Sequence, residues 1–279
     1  MKIGMVLSCW MNDLERQLTL YKDAGFDGVE VRLVDETEFK GKPIPPGTLR
    51  IGNMDEDARR LAKITNSTGL EVHSIMCSPL WKYSLTSSNE KYREIALRII
   101  KDAINAARIL NADTLLIIPG VVTEDVGYER AMSLSKENLS KVISLAEENE
   151  VMLAVENVGN RFLLSPLEMR DFIDYFNSDY VKAYLDVGNI VLLRQGYPQD
   201  WIRILGSRIV KVHVKDYDPR TRSITYLLQG DIDWKSVITA LREVKYDGYL
   251  TAELPPYKFF PEKMLKDTVT ALKLIIGIK

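Results

Sequence analysis

Cysteine and histidine are scarce in this 279-residue chain, with two of each. Cys9 and Cys77 are too few for a disulfide framework or a cysteine zinc cluster, and both read as small buried hydrophobes in a reducing cytosol. Charge of one sign is also missing. Lys and Arg number 37 against 39 Asp and Glu, a formal net charge of -2. That balance builds no broad positive field and argues against a nucleic-acid partner. No run approaches the roughly 20 apolar residues of a membrane span, so no membrane partner is expected. The amino terminus passes from one basic residue and a short apolar run straight into helix and strand pattern, so no secretory leader is expected and the setting reads as cytoplasmic. No low-complexity tract or glycine-rich linker divides the chain, and no glycine-rich phosphate cradle is evident. With 46% apolar residues to build a core, residues 1–279 are expected to form one domain.

What is present is alternation. Apolar runs at 2–8, 28–33, 70–76, 114–120, 151–157, 181–189, 209–216 and 249–254 are separated by helical patterns. Those patterns fall near 12–24, 55–68, 88–110, 130–149, 165–176, 199–206, 234–244 and 262–276. Ser165 with Glu168 has capping-box spacing. The turn AGFDGVEV before the second run returns in form as VKYDGYLTAEL before the eighth. Eight strand–helix units in under 300 residues predict a closed (β/α)₈ TIM barrel of the α/β class, with chemistry at the C-terminal ends of its strands. Strands this apolar on both faces fit helices outside and packed side chains inside.

The last four runs, VMLAVEN, VKAYLDVGN, IVKVHVKD and YLTAELPP, carry Glu156, Asp186, His213 and Glu253 near their C-terminal ends. A single glutamate or histidine at such a place is commonly a loop or core group. Four on consecutive strands converge on one point. Three carboxylates buried together are severely unfavourable without a cation. One imidazole with three carboxylates suits one divalent ion, manganese, magnesium, cobalt or zinc rather than copper.

Glu156 and Glu253 then stand across a barrel mouth. If a ketose is bound there, the ion stabilises the enediolate left by removal of a carbon-bound proton. One glutamate takes the proton and the other returns it, giving epimerisation, or aldose–ketose isomerisation if it returns to the neighbouring carbon. His73 and Glu30 are expected late in their strands. His73 reads equally as a holder of a substrate hydroxyl or as a hydrogen-bonded barrel histidine, and Glu30 as a residue that orders the site. Asn157 and Asn189 are placed to bond sugar oxygens, or to form turns. Lys215 faces the same way as His213 by the two-residue period and suits an enediolate or an anionic group. Asp216 is expected to face away. Trp81 reads as an apolar wall for a sugar, or as loop packing. The IIPG turn is expected to open the backbone toward substrate, and QGDIDW to close a loop with Asp233 as cap or Trp234 as anchor.

From GFDGVEV through TAELPP, the chain resembles the xylose-isomerase-like superfamily of TIM barrels, especially its sugar epimerases and sugar-phosphate isomerases. The resemblance implies an Mn²⁺-type site of Glu156 in AVENVGN, Asp186 in YLDVGN, His213 in VHVKD and Glu253 in TAELP, with Glu156 and Glu253 catalytic. The D-tagatose and D-psicose 3-epimerase branch has a glutamate where this chain has Phe162 and a histidine where it has Gly188. DVGN and HVKD look more like the L-ribulose-5-phosphate 3-epimerase or hexulose-6-phosphate isomerase-like branch. The implied partner is a small sugar or sugar phosphate, with Lys82, Ser87, Lys215 or Arg220 as phosphate contacts, and homodimers or homotetramers are common among such enzymes. Two other classes stand beside this reading. An endonuclease IV-like nuclease shares the barrel but needs several histidines beyond His73 and His213. A non-catalytic sugar-binding barrel has no need of paired glutamates around a metal.

Overall fold

The computed structural model describes residues 1–277. The eight apolar runs become strands β1 (Lys2–Val6), β2 (Gly28–Val34), β3 (Glu71–Cys77), β4 (Thr114–Ile117), β5 (Met152–Glu156), β6 (Val181–Asp186), β7 (Ile209–Val214) and β8 (Tyr249–Ala252). Each pairs in parallel with the next, and β1 pairs with both β2 and β8, which closes the ring. The result is a single (β/α)₈ barrel, as the alternation predicts.

Helices α1 (Leu14–Ala24), α2 (Met54–Thr68), α3 (Glu90–Leu110), α4 (Tyr128–Glu148), α5 (Pro166–Asp174), α6 (Val187–Leu192), α7 (Pro198–Leu205), α8 (Trp234–Glu243) and α9 (Pro261–Gly277) connect the strands. Several begin at a side-chain cap that satisfies an otherwise orphaned amide. Asn89 accepts from Lys91 N, Ser165 from Glu168 N, and Asp233 from Ser236 N. Glu168 also reaches back to Leu164 N at 2.7 Å, one residue short of the reciprocal bond of a capping box. No described helix is long and apolar enough to cross a membrane.

Most of the buried apolar side chains form one shell between strands and helices. A second, small cluster of Val6, Met76, Leu116, Ala154 and Tyr184 fills the inside of the barrel. Side chains alternate along a strand, so the residues two positions beyond Ala154 and Tyr184 also point inward and lie nearer the C-terminal mouth. Those residues are Glu156 and Asp186.

Two local departures from the sequence expectation bear on the site. The run 181–189 does not remain one strand, because β6 stops at Asp186 and α6 starts immediately after it. The run 209–216 does not remain one strand. β7 stops at Val214, and Asp216–Asp218 pairs antiparallel with Ser223–Thr225 in a small hairpin over the barrel end. Asp216 is the cause. Its buried carboxylate accepts from Tyr217 N, Ile232 N, Leu228 N and Trp234 Nε1, and these four bonds pull the chain out of the barrel ladder.

Candidate metal and catalytic centre

Asp186 is the last residue of β6 and the cap of α6, and its two oxygens divide the work. Oδ1 accepts from Asn189 N at 2.8 Å. Oδ2 is buried and has no aligned hydrogen-bond donor; Lys215 Nζ lies 2.7 Å away, close enough for an ion pair but off the geometry of a hydrogen bond. A buried carboxylate oxygen without a hydrogen bond is costly unless a cation meets it, and in the metal-free chain the Lys215 ammonium does so.

His213 is level with Asp186 across the β6–β7 ladder and fully buried. Its Nδ1 lies 3.1 Å from Glu156 Oε1 and 3.9 Å from Asp186 Oδ2. Its Nε2 lies 2.9 Å from Glu30 Oε1. One candidate ligand atom from each of Glu156, Asp186 and His213 falls within 4.8 Å of the others. Two hard oxygens and one imidazole nitrogen at this spacing are a donor set that fits a divalent cation.

Glu253 follows β8 directly and is held apart from that triad. Lys215 Nζ contacts its Oε2 at 2.5 Å, and Arg32 approaches its Oε1 at 3.9 Å. Lys215 thus lies on the mouth side, where the two-residue period puts it, and bridges Asp186 and Glu253. Burial opposes the ammonium, but Asp186, Glu253 and Glu156 raise it far above its ordinary value. Burial also opposes ionisation of Glu253; His213, Lys215 and Arg32 outweigh it and hold that carboxyl below its usual range. Glu156 goes the other way, pushed up to about 7 by burial, with His213 opposing and Asp186 and Glu253 adding to the rise. For His213 burial disfavours the imidazolium, yet Glu30 and Glu156 raise it well above its ordinary value.

Glu156, Asn189, Lys215, Glu253 and Trp81 line one cavity of about 210 Å³ at the mouth, together with Met76, Ser78, Leu116, Ile118, Val158 and Gly159. Trp81 ends a short 3₁₀ turn and is 47% exposed, so it forms a rim wall. A larger cavity, about 730 Å³, opens at the N-terminal face of the barrel, away from these strand ends. His73 belongs there. It sits third in β3, not late, and lines that cavity with Lys2, Lys211 and Tyr249. It stacks on Tyr249 at 4.0 Å, meets Ser74 Oγ and Thr251 Oγ1, and burial holds it well below its ordinary value. Of the two readings of His73, the hydrogen-bonded barrel histidine is the one that fits; neither it nor Glu30, third of the seven residues of β2, lies late in its strand.

Asn157 and Asn189 spend their amides on backbone. Asn157 accepts from Asp186 N and donates to Asp186 O, and Asn189 donates to Asn157 O. They brace the β5 and β6 ends. Lys82 is tied to Asp35, and Arg220 to Asp218, so neither joins the cavity. Asp233 caps α8 and Trp234 is a buried anchor, so QGDIDW supplies both functions. Arg32, Ser74 and Tyr184 were not singled out by sequence. Arg32 carried a signal, two residues after Glu30 on the same strand. Ser74 and Tyr184 carried none, since isolated polar atoms within apolar runs show no pattern.

A family model described as xylose isomerase-like TIM barrel matches residues 18–275. L-ribulose-5-phosphate 3-epimerase UlaE of Salmonella paratyphi C is 27% identical over 250 residues, covering 88% of this chain and 82% of the relative. Among solved structures, 3-keto-D-glucoside 4-epimerase YcjR from E. coli matches with a TM-score of 0.78 at 14% identity, covering 98% of this chain and 99% of that one. D-psicose 3-epimerase with D-tagatose, from Clostridium cellulolyticum H10, matches with a TM-score of 0.75 at 18% identity, covering 100% and 99%. At such identities the solved structures speak for the fold, while the family model spans nearly the whole barrel. The chain belongs to the xylose isomerase-like TIM-barrel family.

Proposed function

We propose that this chain is a divalent-metal-dependent sugar or sugar-phosphate epimerase or isomerase, acting on a ketose through an enediolate. The observation that carries this reading is the meeting of Glu156, Asp186 and His213 within 4.8 Å at strand ends, beside a cavity that Glu156 shares with Glu253. Glu156, Asp186 and His213 would hold the ion, with Glu253 as a fourth ligand on exchanging its Lys215 contact for the ion; Mn²⁺ is foremost, with Mg²⁺, Co²⁺ and Zn²⁺ of suitable chemistry. When bound, the ion would polarise the ketose carbonyl and stabilise negative charge on its oxygen.

The proton is moved by this chain's own groups. One of Glu156 and Glu253, ionised, takes the proton beside the carbonyl, and the other, carrying a proton of its own, delivers that proton to the opposite face. Lys215 Nζ, steadied by Asp186 and Glu253, presents positive charge to the developing oxyanion. Met76, Leu116, Ile118 and Val158 form an apolar wall that limits water, and Trp81 offers the sugar a flat surface. The name of the sequence relative, an L-ribulose-5-phosphate 3-epimerase, supports the reaction class.

A panel of ketopentoses, ketohexoses and their terminal phosphates tests the reading, with metal-loaded and chelated enzyme compared by chromatography of the products. Metal-dependent appearance of an epimer or an aldose is expected for at least one member. No conversion across the panel by an enzyme shown to be metal-loaded would count against it.

A further inference from the structure

Glu30 is a fully buried carboxylate that neither lines the mouth cavity nor belongs to the ligand triad. Both its oxygens are spent inside the barrel. Oε1 faces His213 Nε2 at 2.9 Å, and Oε2 accepts from the Ser74 hydroxyl at 2.6 Å. The β2–β3 ladder is irregular at this point. Val29 pairs with Val72 but Glu30 pairs with Ser74, so the register skips His73. A bulge of this kind re-aims side chains, and here it sets the Ser74 hydroxyl opposite the Glu30 carboxylate. Tyr184 packs its ring on His213 at 4.4 Å and brings its hydroxyl to 3.5 Å from Ser74 Oγ.

An imidazole presents one nitrogen to a metal, and the hydrogen bond made by the other nitrogen decides which. In His213 the nitrogen facing Glu156 and Asp186 is Nδ1, which leaves Nε2 to Glu30. We infer that Glu30 is a positioning residue: by accepting the Nε2 hydrogen of His213 it fixes Nδ1 as the metal-facing nitrogen and holds the ring plane toward Glu156 and Asp186, with Ser74 as its anchor. The inference rests on the metal-binding reading above and concerns a residue outside the ligand set. A buried carboxylate that touches no substrate is expensive to keep, and orienting the single imidazole at the mouth is what this one does.

The test is metal binding by the full chain, independent of any sugar. Chelator-stripped wild type, Glu30→Gln and Ser74→Ala are titrated with Mn²⁺ and Co²⁺ by calorimetry. Imidazole hydrogens are followed by ¹⁵N-resolved NMR in the Zn²⁺-loaded proteins. Glu30→Gln is expected to weaken metal binding about 10- to 100-fold, and Ser74→Ala to weaken it less, in the same direction. The Nε2-bound hydrogen of His213 is expected far downfield in wild type and shifted upfield in Glu30→Gln. A purely structural Glu30 would alter the unfolding midpoint of the metal-free chain and leave affinity and this resonance alone. That result, or wild-type affinity in folded Glu30→Gln, overturns the inference while leaving the metal site standing. If Glu30→Gln does not fold, Ser74→Ala decides by the same affinity criterion. A wild-type chain that binds none of these ions overturns the inference together with the reading on which it rests.

Discussion

His213 has both ring nitrogens aimed at carboxylates, Glu156 on one side and Glu30 on the other. Against its burial, these neighbours raise the imidazole well above its ordinary value, so the metal-free ring keeps a hydrogen on each nitrogen. An ion at Nδ1 must displace one of them. Metal uptake near neutral pH is therefore predicted to release about one proton or more, read as the dependence of calorimetric heat on buffer ionisation enthalpy. Uptake with no proton release would contradict this geometry. Glu156 and Glu253 are the residues asked to move protons. Glu253→Gln and Glu156→Gln are each predicted to lower kcat on the best substrate by about 10²–10⁴. Steady-state kinetics check this, with metal content measured alongside to separate lost chemistry from a lost ion.

At the scale of elements, two glycines give way to site residues. Gly188 lies in the first turn of α6, and a Cβ there would fall 2.4 Å from Lys215 Cγ. Its lack of a side chain gives Lys215 the room to reach between Asp186 and Glu253. Alanine suits a helix better than glycine by about 0.5–1 kcal/mol, so Gly188→Ala has no helix-propensity reason to lose function. It is nevertheless predicted to cut kcat by about tenfold or more as Lys215 is pushed aside, a loss worth about 1.4 kcal/mol in the barrier. Unchanged kcat in a folded, metal-loaded variant would remove Lys215 from the chemistry. Gly230 stands in the same relation to Asp216, where a Cβ would meet Oδ1 at 2.3 Å. Asp216→Ala strips the acceptor from four donors in the loop that follows β7. Unfolding in urea is predicted to show a loss of about 2–4 kcal/mol, since each stranded buried donor costs about 1–3 kcal/mol and some will find water. Asp186 and His213 were legible as neighbours at the ends of adjacent strands, because the two-residue alternation of apolar runs is a strong local signal. The sequence did not show that α6 begins at Asp186 or that β7 ends before Asp216. The first is decided by the Asp186 cap on Asn189 N and the second by bonds from Asp216 to amides 12 and 16 residues on, and an apolar periodicity records neither. His73 lies mid-strand both in the apolar run 70–76 and in β3, and an apolar run does not record whether a mid-strand side chain serves the mouth or the opposite end of the barrel.

For the whole molecule, the alternating pattern was enough to predict barrel closure, since eight short parallel strands with covering helices have few other ways to bury both faces. The centre was less legible. Glu253 joins the mouth cavity but is paired with Lys215, and a charge partner two residues after His213 could be foreseen only as a direction. The balance of charges in that mouth also sets how the molecule responds to pH without metal. Burial pushes Glu156 up to about 7 from 4.5, and its carboxylate neighbours raise His213 above 6.5. The folded chain therefore holds protons that the unfolded chain has released. For Glu156 this contribution to stability is complete below about pH 4.5 and is lost as pH rises through about 7; for His213 it is complete below about pH 6.5 and is lost only as pH rises through its raised value. In chelator, the unfolding temperature of wild type is predicted to fall relative to Glu156→Gln between about pH 5 and about pH 8. A relative rise over that window would contradict the assignment, and bound metal is expected to flatten the difference.

The account stands or falls on removal of a carbon-bound proton at the mouth. The most direct measurement is deuterium incorporation from D₂O into a turned-over ketose, located by NMR, with metal-loaded wild type, chelated wild type and Glu253→Gln side by side. Deuterium on a carbon beside the carbonyl, appearing only with metal and suppressed in Glu253→Gln, is the predicted result. Metal-loaded enzyme that converts a sugar with no label beside the carbonyl, or that labels it equally well without Glu253, would contradict the account.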